Sequence, residues 1–251
     1  MPQKIVSLIG ARPQFVKAAV VSEQLAQHPE LTECLVHSGQ HYDYQMSNVF
    51  FDELSIPTPT HHLAIGSGSH GAQTAKILAS FEEVLLAERP DWVLVYGDTN
   101  TTVAGALAAT KLHIKLAHVE SGLRSFNRRM PEEINRLAVD AIADLLFTTE
   151  PSGSENLRAE GVAEERIHFV GNVMIDTLLA HRERASTLDT IERLGLESGG
   201  YAVLTRTRLS DDSGFTKTLC QQNLSNGIIN LVRSCMAQLF PFKIDPGFIF
   251  F

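Results

Sequence analysis

The residues that could do chemistry in this sequence are carboxylates set among cations. The segment HVESGLRSFNRRMPEEINR, His118 to Arg136, holds Glu120, Glu132, Glu133 and four arginines within nineteen residues. It opens as an apolar strand and closes as a helix. A solvated helix face could carry such a pattern. A site that moves protons beside a bound anion accounts for it better, because Asp98, Glu120 and Glu132 each fall at a strand end or a helix start along one sheet edge. Neighbouring carboxylates push their pKa values apart, which yields one base and one acid. Glu132 and Glu133 follow Pro131 in the first helical turn, where the helix dipole favours the ionised form and suits a base. Glu132 and Arg136, four residues apart, are expected to pair. Ile134, Leu137, Ile142 and Leu145 are expected on the buried side.

Other loops add candidates. In GARPQFVK, Gly10 ends a strand, Pro13 suits a first helical turn, and Arg12 and Lys17 bring two cations to the helix start. Cations there are unfavourable unless an anion joins them. SGQHYDYQMS offers His41 and Tyr42. YGDTNTT places Asp98 just past a buried strand, with Thr99 to Thr102 available to cap the next helix; Asp98 as the cap itself is the plainer alternative. GSGSHG at 66–71 matches the dinucleotide fingerprint. However, Pro57 and Pro59 make the preceding stretch a poor central strand, and the fingerprint belongs in the first strand-to-helix turn, which here reads GARPQ. A Gly/Ser loop closing over a phosphorylated ligand fits better than an NAD site.

The elements that must position these residues alternate. Strand-like KIVSLIG, ECLVHSG, DWVLVYG, KLAHVE, LLFTTE and RIHFVGN are separated by helix-periodic segments, including one with Ile77, Leu78, Phe81, Val84 and Leu85 on a single face. Runs this apolar fit a parallel sheet covered on both faces. SGSE at 152–155 reads as a capping box. The expectation is an α/β, Rossmann-like doubly wound domain over residues 1 to about 180, with ligands outside the carboxyl ends of the strands.

Composition narrows the partners. A net charge of −8 over 251 residues argues against a general nucleic-acid binder. Cys34, Cys220 and Cys235 show no zinc-ligand spacing, so no metal is expected and a reducing cytosol fits. No apolar run approaches a membrane span, and the start lacks a signal-peptide core, so the chain reads as cytoplasmic.

Taken together, GARPQFVKAA, SGQHYDYQMS, GSGSHG, VYGDTNTTVAGALAA, AHVESGLRSFNRRMPEEINR and VGNVMID resemble the non-hydrolysing UDP-N-acetylglucosamine 2-epimerases, in order, over residues 3 to about 205. Relatives acting on UDP-2,3-diacetamido-glucuronate share these motifs. The resemblance implies a GT-B-type fold with its site between two Rossmann-like domains, a UDP-sugar substrate, no cofactor, and homodimerisation. It also implies a mechanism: a base removes the C2 proton as UDP leaves C1, and UDP re-adds to the glycal with protonation on the other face. By position, Asp98, Glu120 and Glu132 are the implied catalytic carboxylates. Arg12 and Lys17 fall on basic residues near the diphosphate, and His41 and Arg136 join them as candidate substrate-binding residues. The resemblance also implies a role in cell-surface polysaccharide biosynthesis.

The pattern stops near residue 206. A family strand end of the form Thr-x-His-Arg is replaced by TRTRLS, with Thr207 in the histidine's place. From Leu219 to Phe251 only Arg233, Lys243 and Asp245 are charged, and five of thirteen phenylalanines fall in the last twelve residues. The expected organisation is therefore a domain at 1–180, a linker helix and first strand of a second domain at 181–205, and a divergent tail at 206–251, as a shifted reading frame would produce. Because the resemblance assigns most nucleotide contacts to the second domain, little turnover is expected, down to a non-catalytic remnant that binds UDP-sugar. The tail's phenylalanines forecast poor solubility.

Overall fold

The computed structural model describes residues 2–40 and 50–197. His41 and everything from residue 198 onward, including the divergent tail, lie outside the described residues. The chain divides into two units, Met1–Ser186 and Thr187–Phe251. In the second, the described residues contain one short helix, Thr190–Arg193.

The first unit is built on a sheet of seven parallel strands in the order β3-β2-β1-β4-β5-β6-β7. The strands are β1 (Gln3–Ile9), β2 (Leu31–His37), β3 (His61–His62), β4 (Trp92–Tyr96), β5 (Lys115–Ser121), β6 (Leu145–Thr148) and β7 (Ile167–Phe169). Between them run α1 (Arg12–Ala26), α2 (His70–Glu88), α3 (Asn100–Lys111), α4 (Pro131–Ile142) and α5 (Pro151–Ala159); α6 (Val173–Ser186) follows β7. The stretch holding Pro57 and Pro59 yields only the two-residue edge strand β3, as missing ladder donors require.

Alternation along each strand separates two cores. Val6, Leu8, Val93 and Val95 face one way, with Phe81 and Leu85 of α2 and Ala106, Ala108 and Ala109 of α3. Ile9, Leu94 and Tyr96 face the other, with Phe15 and Ala18 of α1. Helices on both faces are why the strands read as unbroken apolar runs. The small residues of α3 let it lie close to the sheet: a Cβ on Gly105 would stand 3.2 Å from Val95 Cγ1. α6 returns to α1, where the Thr177 hydroxyl donates to the Val16 carbonyl at 2.8 Å.

Three local expectations are corrected. Glu150 is the N-cap of α5, with Pro151 at its first position, so Ser152 sits inside the helix and does not cap it. Ile134 is 43% exposed, and Leu145 belongs to β6; the fully buried members of α4 are Glu133, Val139 and Asp140. A buried carboxylate defeats a reading based on apolar period alone.

The strand order reverses direction at β1, with β2 on one side and β4 on the other. Loops leaving β1 and β4 diverge there and open a crevice at the carboxyl edge.

Candidate active site

The floor of that crevice is tied by Gln14. Its carboxamide oxygen accepts from the backbone N–H groups of Gly10 (2.8 Å) and Ala11 (3.0 Å). Its nitrogen donates to the Tyr96 carbonyl (2.8 Å) and faces the hydroxyls of Thr99 and Thr102, both at 3.1 Å. One buried amide therefore joins the β1 and β4 loops. Thr99 is the N-cap of α3 and Asp98 precedes it, so Asp98 is not the cap. Its carboxylate is left for other work.

That carboxylate meets Arg136, whose Nη2 lies 2.5 Å from Asp98 Oδ2. The Asp98 carbonyl accepts from Asn135 Nδ2 at 2.8 Å. Lys17 forms an ion pair with Glu120 Oε2. An added Cβ at Gly97 would lie 3.0 Å from Lys17 Nζ and 3.4 Å from Glu120 Oε2, so this pair lies against the glycine that precedes Asp98. Glu120 itself has φ +71°, beside a register shift between Val119 and Ser121 in the β5–β6 pairing. A non-glycine residue in that conformation costs of order 1–3 kcal/mol and persists where the surroundings enforce it. The bulge turns the side chain to the loop edge.

Lys17 is 5% exposed. Burial pushes its ammonium down to about 8, with Asp98 opposing the shift and Arg136 adding to it. The Lys17 charge is therefore felt at both carboxylates.

The charged segment that opened the sequence separates into distinct jobs. Glu133, 2% exposed, accepts from the Ser125 N–H (2.9 Å), the Ser125 hydroxyl (3.0 Å), the Phe126 N–H (3.0 Å) and Arg136 Nη1 (3.0 Å). Burial resists its ionisation, yet these donors outweigh burial and hold its carboxyl below the usual range. Arg124 bridges Asp140 Oδ2 and Glu160 Oε2, each at 2.7 Å. Arg128 and Arg129 are exposed. The expected Glu132–Arg136 ion pair is corrected: Arg136 pairs with Asp98 and Glu133, because the Asp98 loop lies within its reach. Glu132 is half-buried and shares a helix face with Asn135 and Arg136, the residues holding Asp98.

The fold thus gathers Asp98, Glu120, Lys17 and Arg136 and sets Glu132 on the helix face above them. Arg12 is half-buried at the first position of α1, and His41 lies outside the described residues. Sequence reading missed Gln14, His118, Asn135 and Asp140, since single polar residues in apolar strands and helices carry no spacing signal. Beside the site lies a cleft of about 490 Å³ lined by His70, Asn100, Pro131, Ile134 and Asn135, among others.

One group of metal-ligating types forms without sequence spacing. Ligand atoms of Cys34, His61 and Glu88 lie within 4.8 Å of one another. Glu88 is already engaged by Lys4 Nζ at 2.5 Å and His61 Nε2 at 2.6 Å, so the lysine ammonium stands where a cation would. Among the described residues no helix is long and apolar enough to cross a membrane.

Comparison with known proteins identifies the family. The family described as UDP-N-acetylglucosamine 2-epimerase matches residues 23–220. A UDP-N-acetylglucosamine 2-epimerase homolog of Methanococcus maripaludis is 48% identical over 240 residues, covering 95% of this chain and 65% of that protein. Both matches reach beyond residue 206. A Pseudomonas aeruginosa UDP-2,3-diacetamido-2,3-dideoxy-D-glucuronate 2-epimerase is also 48% identical, covering 83% of this chain and 59% of its own length. The solved structure of the Methanocaldococcus jannaschii UDP-GlcNAc 2-epimerase, in complex with UDP-GlcNAc and UDP, superposes with a TM-score of 0.74 at 43% identity. It covers 76% of this chain and 53% of its own. The chain thus spans about half to two thirds of the length of the relatives it matches.

Proposed function

We propose that this chain, which belongs to the UDP-N-acetylglucosamine 2-epimerase family, carries the carboxylates for epimerisation at C2 of a UDP-linked 2-acetamido sugar. The substrate in this reading is UDP-N-acetylglucosamine and the product its manno epimer. A base removes the C2 proton while the C1–oxygen bond breaks and UDP departs with the electron pair. The resulting glycal takes UDP back at C1 as an acid protonates C2 on the opposite face. The reaction is redox-neutral.

The observation carrying the reading is the pairing of two carboxylates with two cations at the Gly97–Asp98 turn: Glu120 with Lys17, and Asp98 with Arg136. A proton abstracted from C2, the sugar carbon that bears the acetamido nitrogen, needs a base within hydrogen-bond reach. Asp98, Glu120 and Glu132 share the base and acid roles. Arg12 and Lys17 serve the diphosphate end, and His41 and Arg136 join them as substrate-binding residues. In the same reading the protein is a cytoplasmic homodimer whose product feeds cell-surface polysaccharide biosynthesis.

A second substrate is favoured by the Pseudomonas relative, named for a diacetamido-glucuronate and as identical to this chain as the first. The test uses both. Each UDP-sugar is incubated with the protein in deuterated water and C2 is followed by NMR. Deuterium at C2 with appearance of the epimer supports the reading and identifies the sugar. Saturable UDP-sugar binding without exchange at C2 replaces it with a binding protein.

A further inference from the structure

His118 is a fully buried member of β5, with both ring nitrogens engaged. Nδ1 lies 2.7 Å from Asp140 Oδ1 and Nε2 lies 2.7 Å from the Gly97 carbonyl oxygen. A backbone carbonyl can only accept, and an ionised carboxylate can only accept. A neutral imidazole would therefore turn one lone pair onto an acceptor at hydrogen-bond range. From this geometry we infer that His118 is a doubly protonated imidazolium that acts as a positioning residue, pinning the Gly97–Asp98 turn to α4.

The one escape is a proton on Asp140. Its other oxygen accepts from the Gly122 N–H at 3.0 Å and from Arg124 Nη1 at 2.7 Å, donors that stabilise the carboxylate. The Arg124 side chain that pairs with it is as deeply buried as the carboxylate itself. The chain of charges then closes: imidazolium, Asp140, Arg124 and Glu160 alternate in sign. The three buried members, His118, Asp140 and Arg124, are tolerable because each is paired, while Glu160 meets them from the surface.

The consequence reaches the site. Two successive carbonyls of the turn are held, Gly97 by His118 and Asp98 by Asn135. Asp140 and Asn135 both belong to α4, the helix that also bears Glu132 and Arg136. Spacing between the Asp98 loop and α4 is thus set from beneath by the imidazolium and from the side by the amide. Only the catalytic meaning of this spacing rests on the proposed function; the protonation of the ring does not.

The test is a long-range nitrogen–hydrogen NMR spectrum of the histidine rings in the full chain, with His118 assigned by its loss in His118→Asn and His118→Gln. Both ring nitrogens carrying hydrogen is the expected result; one bare nitrogen overturns the inference. Asparagine places its amide nitrogen near the Nδ1 position and glutamine near the Nε2 position. Amide exchange at Gly97 and Asp98 should therefore be about tenfold faster in His118→Asn than in His118→Gln, the effect of one lost hydrogen bond. Equal exchange in the two variants removes the positioning role. If the unsubstituted protein moves no deuterium into C2, the function reading fails, while the ring spectrum still decides this one.

Discussion

The ammonium of Lys17 in α1 is ion-paired with Glu120 in β5, 103 residues further along the chain, across the turn at Gly97. The pair joins the first helix to the bulged end of the fifth strand. It also places a largely buried cation between two carboxylates, which makes its protonation a stability term.

Because the folded-state value of Lys17 is lowered from 10.5 to about 8, the unfolded chain binds more protons than the folded one between those limits. Stability contributed by this group therefore rises with pH from about 8 to 10.5 and is flat below. The span corresponds to at most about 3 kcal/mol. Urea unfolding of the protein and of Lys17→Met, run from pH 7 to 10.5, should differ by a term that changes in that window. Parallel curves would refute it.

Replacing Asp98 by Asn or Glu120 by Gln should cut deuterium incorporation at C2 by roughly 10²- to 10⁴-fold, the usual weight of a general acid or base. Circular dichroism should stay near that of the parent, showing that the fold is kept. Near-normal exchange in both variants would remove these residues from the proposed chemistry.

Gly97 has φ +64° and its added Cβ would press on Lys17 and Glu120, whereas Gly161 has φ +84° with nothing within 4 Å. Alanine at either position should cost about 1–2 kcal/mol of backbone strain. Only Gly97→Ala should also disturb the ion pair and lower C2 exchange. Urea midpoints and isotope exchange on the two variants separate strain from displacement.

Glu133 is held below its usual 4.5, so its contribution is complete above that value and is lost as pH falls through the folded-state value. Glu133→Gln should destabilise by about 1–3 kcal/mol at pH 7 and flatten the acid limb of the stability curve. It should also loosen residues 125–126, read as faster amide exchange at Ser125 and Phe126. An unchanged acid limb would mean that the contacts to Ser125 and Phe126 contribute little.

Glu132 and Glu133 show where sequence reading stops. Both occupy the first turn of α4, and both are acidic there for the same dipole reason. Only packing separates them: Glu133 turns inward to close the 125–126 loop, while Glu132 shares the face of Asn135 and Arg136. The family resemblance singled out Glu132, and no spacing rule would have done so. Arg136 is a parallel case. Helix periodicity offered it Glu132 as a partner, and the fold gave it Asp98 from another loop.

By itself the sequence determined the alternation of apolar strands and amphipathic helices, hence the parallel sheet and the edge on which its loops gather. Those properties follow from local periodicity and from the need to bury both sheet faces. Tertiary structure alone decided which charge meets which. Lys17 and Glu120, Asp98 and Arg136, and His118 between Asp140 and Gly97 are brought together by strand order. A contact between residues tens of positions apart leaves no mark on the local pattern of either.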